Sequence, residues 1–116
     1  MAELLSALTG VDFSEERLHK ACDRIFNVER AYLVRNGIRR EHDVPPRHFL
    51  ETPIPEGPSK GRTIDREKFE ELKDAWYAVR GSDKNTGAPK RETLEELGLR
   101  SVADDLEKIG IYKEAN

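Results

Sequence analysis

The chain has 116 residues, 37% of them charged and 36% hydrophobic, which bounds it to one domain or part of one with a modest core. A net charge of −3 is too small and of the wrong sign to suit nucleic acid or an anionic membrane. The single cysteine, Cys22, excludes an internal disulfide and a multi-thiolate metal site built from this chain alone, and it favours a reducing, cytoplasmic setting.

The N-terminal segment MAELLSALTG has neither a basic region nor a long apolar run, so it reads as neither a secretory signal nor a membrane span. A short helix over residues 3–9 is expected, ended by Gly10, and its apolar pattern reads as one entered midway. The longest stretch without Gly or Pro leads into a helix over 14–36. Either Asp12, with Glu15 at capping-box spacing, or Ser14 can cap it, and Asn36-Gly37 closes it. Leu18, Ala21, Cys22, Ile25, Phe26, Val28, Tyr32 and Leu33 recur at three and four, which predicts a buried stripe with Cys22 as a small hydrophobe inside it. Glu29 and Arg30 fall after that stripe turns away, so surface or interdomain ion pairs are their simplest use.

From residue 38 to 64 the pattern breaks. Five of the six prolines lie here, at positions 45, 46, 53, 55 and 58. Proline removes a backbone donor and restricts its predecessor, so neither a helix nor a central strand should persist. Val44, Phe49, Leu50 and Ile54 argue against a freely solvated linker. The segment reads as a strap laid over the helices, or over a surface that this chain lacks.

Asp65 can cap a second main helix over 65–80, with Phe69, Leu72, Trp76 and Val79 on one face. SDKNTGAPK is a turn-rich loop. Short helices over 91–97 and 102–109 follow, the last with Ser101 as its cap and Asp104 three residues on. The fold class is all-α: about five helices in a single domain, 1–116, with a long proline-rich strap between the two main ones.

Several constellations invite a functional reading and do not sustain it. Asp83, Asn85 and Gly87 resemble the start of a calcium loop, but Ala88 and Leu94 occupy the positions that need Gly and Glu, so an Asx-type turn is expected. His42, Asp43 and His48 are separated by two prolines and sit beside Arg39, Arg40 and Arg47, a positive setting that opposes a cation. Those arginines could contact an anion, though a salt-bridged loop accounts for them more simply. The last two helices mimic a helix-turn-helix, but Asp104, Asp105 and Glu107 would repel phosphates. No catalytic, cofactor-binding or metal-binding residue is assigned.

The segments RIFNVERAYLVRNGIRREHDVPPRHFLETPIPEGPSKG, AWYAVRG and DKNTGAPKRETLEELGL together resemble the C-terminal part of the tungsten-containing aldehyde ferredoxin oxidoreductases, over about residues 5–109. The most specific pieces are Asn27-Val28-Glu29-Arg30, Pro46-Arg47-His48-Phe49 and Glu56-Gly57-Pro58. The resemblance implies a parent enzyme that oxidises aldehydes to carboxylic acids at tungsten held by two molybdopterin-type dithiolenes. It passes electrons through a 4Fe-4S cluster to ferredoxin. In that family the cluster cysteines and the pterin-facing residues lie N-terminal to the matching part, and Cys22 matches none of them. The chain is therefore expected to be inactive alone, with the N-terminal remainder of the enzyme as its partner. One departure is Ser82, which stands where the family usually carries tryptophan. The alternatives are a free-standing helical interaction module and, less economically, a small hydrolase using His42 or His48.

Overall fold

The computed structural model describes residues 1–112 and contains six α-helices among them. Helix α1 (Ala2–Thr9) stops at Gly10, whose positive φ of 71° lets its N–H return to the Ser6 carbonyl. Helix α2 (Glu15–Arg35) is capped by Ser14, whose hydroxyl accepts from the Arg17 N–H at 3.1 Å. Asp12 contributes only its backbone carbonyl, to Arg17 Nη1 at 2.6 Å. Helix α4 (Arg66–Val79) starts from Asp65, which accepts from the Lys68 N–H at 3.0 Å. Two short helices close the chain, α5 (Arg91–Glu96) and α6 (Arg100–Lys108).

Two expectations require correction. The strap is not wholly irregular: it holds a 3-10 turn at Arg40–His42 and a five-residue helix, α3 (Arg47–Glu51). Pro46 sits immediately before α3, where a missing N–H removes no helical bond, so the proline starts this helix rather than preventing it. The last helix begins at Arg100, not Val102, so Ser101 lies within it and no side chain caps it. Among the described residues there is no strand, only an isolated bridge between Ser82 and Pro89. No helix among these residues is long and apolar enough to cross a membrane.

The core lies toward the C-terminal end. Ala31 and Val34 of α2 meet Ala88, Leu94 of α5, and Leu99, Ala103 and Leu106 around α6. Alanines at 31 and 103 let α2 and α6 approach closely, and Arg91 clasps α5 to α6 by reaching Glu95, Asp104 and Glu107. The buried line of α2 is thus Asn27, Ala31 and Val34, and not the apolar stripe that the spacing suggested. Ile25, Val28, Tyr32 and Leu33 remain 42–67% exposed, and Cys22 is exposed as well. On α4, Leu72, Trp76 and Val79 are likewise open. Val44, Phe49 and Ile54 of the strap are 56%, 51% and 42% exposed.

The molecule is flat and extended as a result. Its principal extents are 49 × 46 × 21 Å and its radius of gyration is 18.1 Å, where a compact chain of this length would have about 13 Å. Its accessible surface is 8766 Å², against about 6,500 Å² for a compact monomer of this mass. The exposed apolar side chains of α2, α4, the strap and α1 contribute to that excess of about 2,300 Å².

Candidate functional site

The best-organised polar cluster joins α2, the strap, α4 and the loop after it. Arg30 sits on α2 four residues before Val34, and its guanidinium is nearly buried. Its Nη1 donates to Asp43 Oδ1 at 2.8 Å, its Nη2 to Asp43 Oδ2 at 2.5 Å, and its Nε to the Gly87 carbonyl at 2.8 Å. Tyr77, buried on α4, donates its hydroxyl to the same Asp43 Oδ2. The Arg30 and Arg40 guanidiniums lie 5.8 and 5.6 Å from the Tyr77 ring centroid. Arg40 in turn meets Asp74, Glu70 Oε2 at 2.6 Å and the Lys84 carbonyl at 2.7 Å.

Charges in this cluster are settled by its own contacts. Burial works against the Asp43 carboxylate, but the hydrogen bonds from Arg30 and Tyr77 outweigh it and hold the group below the usual carboxylate range. Burial, then the Asp43 carboxylate, pushes the Tyr77 phenol up to about 12. Asp43 is therefore ionised and Tyr77 protonated throughout the neutral range. With Tyr77 donating to Asp43 and Asp43 held by the Arg30 fork, the three side chains form a fixed brace.

Above this brace lies a groove of about 880 Å³ between α2 and α4. Phe26, Leu33, Val44, Phe69, Leu72 and Trp76 supply its apolar walls, and Arg30, Asp43, Lys73 and Tyr77 lie along its floor. At one end Arg80 lies in the corner of two rings, its guanidinium 4.5 Å from the Phe26 centroid and 4.6 Å from that of Trp76, while Nη1 donates to Asp23 Oδ1 at 2.9 Å. Phe26 and Trp76 meet edge to face with centroids 6.0 Å apart. Ser82, at the position where the resemblance has an aromatic residue, is buried against the same groove.

The residues weighed from sequence fall out as follows. His42 is exposed and accepts the Arg39 N–H on Nδ1, while His48 packs on Phe49, so the two histidines make no shared site. Asp83 forms an Asx-type turn, its Oδ1 accepting from the N–H groups of Asn85 and Thr86 and from the Thr86 hydroxyl. Arg40 and Arg47 are spent on carboxylates, and Arg39 on the Val34 and Ile38 carbonyls. Arg30 is the residue that sequence reasoning misjudged, since it makes an internal, mostly buried pair and not a surface one. Its one signal was a cation four residues before a core valine.

Among the described residues no three of His, Cys, Asp and Glu converge to hold a metal ion, and Cys22 stands alone. These residues do not fit an iron-sulfur or tungsten site carried by this chain.

Comparison with known proteins gives a consistent set of relatives. The family model described as aldehyde ferredoxin oxidoreductase, domains 2 & 3, matches residues 1–99. The tungsten-containing aldehyde ferredoxin oxidoreductase of Pyrococcus furiosus is 40% identical over 98 residues, 84% of this chain and 16% of that protein. From the same organism, an aliphatic sulfonate oxidoreductase WOR-like subunit is 32% identical over 114 residues, covering 92% of this chain and 18% of its own length. Among solved structures, the active site complex BamBC of benzoyl coenzyme A reductase, in complex with 1,5 dienoyl-CoA, matches with a TM-score of 0.77. Its sequence identity is 30%, over 99% of this chain and 16% of that one. The chain thus spans about one sixth of the length of these relatives, 16–18%. On a match covering most of its length, it belongs to the aldehyde ferredoxin oxidoreductase family, matching the family model that describes domains 2 & 3.

Proposed function

We propose that this chain is the C-terminal helical domain of a tungsten-pterin, iron-sulfur oxidoreductase of the aldehyde:ferredoxin type, a cytoplasmic enzyme, and that it helps enclose the cofactor site and substrate channel without supplying ligands. One observation carries the reading: nearly the whole chain matches one sixth of much longer oxidoreductases, while its described residues offer no metal donor set. When bound, tungsten and the cluster would supply the redox chemistry, aldehyde to carboxylic acid, with ferredoxin as electron acceptor. This chain's residues would shape the wall: the Arg30–Asp43–Tyr77 brace fixes the strap against α2 and α4, and the apolar stripes exclude water where the enzyme closes on them.

The test is co-purification of the chain with a separately expressed upstream portion of the enzyme, followed by an assay of aldehyde-dependent dye reduction. Co-elution with activity that needs both pieces is the expected result. Dye reduction by this chain alone, or a stoichiometric metal content in it, would overturn the reading. Failure of the two pieces to associate would favour a free-standing interaction module.

A further inference from the structure

We propose that the groove between α2 and α4 is the seat of an apolar segment of the larger polypeptide, and not a pocket for a small polar ligand; this rests on the reading above. The groove rim is unusually open for side chains of its kind. Leu33, Val44, Leu72 and Trp76 are 43%, 56%, 63% and 47% exposed. Together with the walls at Phe26 and Phe69 they form a continuous apolar surface of the sort that marks an interaction site.

The floor decides what the occupant is. A small-molecule site needs convergent polar groups free to meet the ligand. Here Arg30 uses Nε, Nη1 and Nη2 on Gly87 and Asp43, and Asp43 accepts from both Arg30 and Tyr77. Lys73 Nζ meets Glu70 Oε1 at 2.8 Å while lying over Phe69. These floor groups are already matched to one another, and Glu29 and His42, which also line the groove, lie exposed at its edge and not on its floor; what the floor and walls offer is shape and apolar area, which suits the ridge of a packed segment bearing aliphatic or aromatic side chains.

The amount of surface points to a large partner. The excess of about 2,300 Å² over a compact monomer falls within the roughly 1,000–2,500 Å² that each partner buries in an obligate interface. The matched relatives are about five to six times as long as this chain, so polypeptide of the needed extent exists in them. A second copy fits less well. An isologous contact would set one concave groove against another and leave the centre unfilled.

Trp76 is the only tryptophan in the sequence and stands on the rim, so the chain carries its own reporter. The chain is labelled with 5-fluorotryptophan and mixed with the unlabelled upstream portion, with co-elution measured in parallel. Co-elution should be accompanied by a shift of the single fluorine resonance and loss of its solvent exposure. Leu72→Glu and Leu33→Glu, both at exposed positions that the core does not need, should each weaken association about thirtyfold or more. Glu92→Ala, at an exposed position on α5 outside the uncovered apolar surface, should leave it within about threefold. Association with an unmoved resonance and wild-type binding by both rim variants would overturn the face while sparing the functional reading. No association overturns both. A shift that depends on the chain's own concentration, without partner, would replace the proposed occupant with a second copy.

Discussion

Arg30 and Asp43 meet through two parallel N–H···O bonds, 2.8 Å and 2.5 Å long, that tie α2 to the strap across 13 residues of sequence. The third donor of the same guanidinium reaches Gly87, 57 residues on. One side chain therefore fixes three separate segments in register, and it does so in the fork geometry that only arginine supplies. With the hydrophobic core confined to the α2–α5–α6 end, this brace is what orients the strap and α4 against α2.

Replacing Arg30 should be among the most damaging polar substitutions in the chain. Arg30→Met leaves Asp43 mostly buried without its cation and should lower unfolding free energy by about 3–5 kcal/mol. Arg30→Lys should recover little, because a point charge cannot make the fork. Arg47→Ala, at a side chain 85% exposed, should stay within about 0.5 kcal/mol. Urea denaturation of the three variants measures this directly.

The same pair sets an acid limit. Asp43 has its folded pKa below the unfolded value, so its contribution is present above about pH 4 and is lost as pH falls through the folded value. Asp83 shifts in the same direction: burial opposes, and the Thr86 hydrogen bonds prevail. Asp43→Asn should be less stable at neutral pH and should lose less on acidification below about pH 4 than the parent. Parallel acid limbs for the two proteins would contradict the assignment.

At the other extreme, Tyr77 and Tyr112 both have phenols raised to about 12, burial being the first cause in each. A raised folded pKa gives stability that is full below about pH 10 and lost as pH rises toward the folded value. Near-ultraviolet titration should show a late ionisation step. That step should shrink in Tyr77→Phe and coincide with loss of helical signal in the parent.

Glycines separate backbone strain from crowding. Gly57 and Gly87 both have positive φ, 87° and 73°. A Cβ at Gly57 would meet nothing within 4 Å, whereas one at Gly87 would lie 2.5 Å from Arg30 Nη2 and 3.1 Å from the Tyr77 hydroxyl. Gly57→Ala should cost about 1 kcal/mol, the left-handed penalty alone. Gly87→Ala should cost clearly more, because it also displaces the Arg30 fork; equal losses in thermal melts would show that the brace tolerates rearrangement.

The two main helices were legible because their signals are local: Ser14 and Asp65 cap them, and Gly37 and Gly81 follow their ends. Which face each helix buries was not legible. Periodicity identifies an apolar stripe, but nothing in the stripe says that its partner lies within the same 116 residues. Here Ile25, Tyr32, Leu72 and Trp76 obey the pattern and remain exposed, while Ala31 and Val34 carry the contact with the C-terminal helices. The short helix α3 was hidden by the prolines beside it, whose effect depends on whether they fall inside a helix or just before it. Arg30 was hidden because both of its partners are remote in sequence.

That distinction between obeying the pattern and being buried yields the sharpest stability test. Leu94 is fully buried among Ala31, Val34, Leu99 and Leu106, so Leu94→Ala removes packing that nothing nearby can replace and should cost about 2–5 kcal/mol. In a core of so few large side chains, such a loss should leave much of the chain unfolded at ambient temperature. Leu72 sits at an equally apolar helical position yet is 63% exposed, and Leu72→Ala should change stability by no more than about 0.5 kcal/mol in the isolated chain. Once the groove is occupied by the larger polypeptide, the same Leu72→Ala should cost as a core residue does. The measurement is therefore made twice, by thermal melting of the chain alone and of the co-purified assembly. A Leu72→Ala penalty already present in the isolated chain would mean that the α4 stripe packs inside this domain after all.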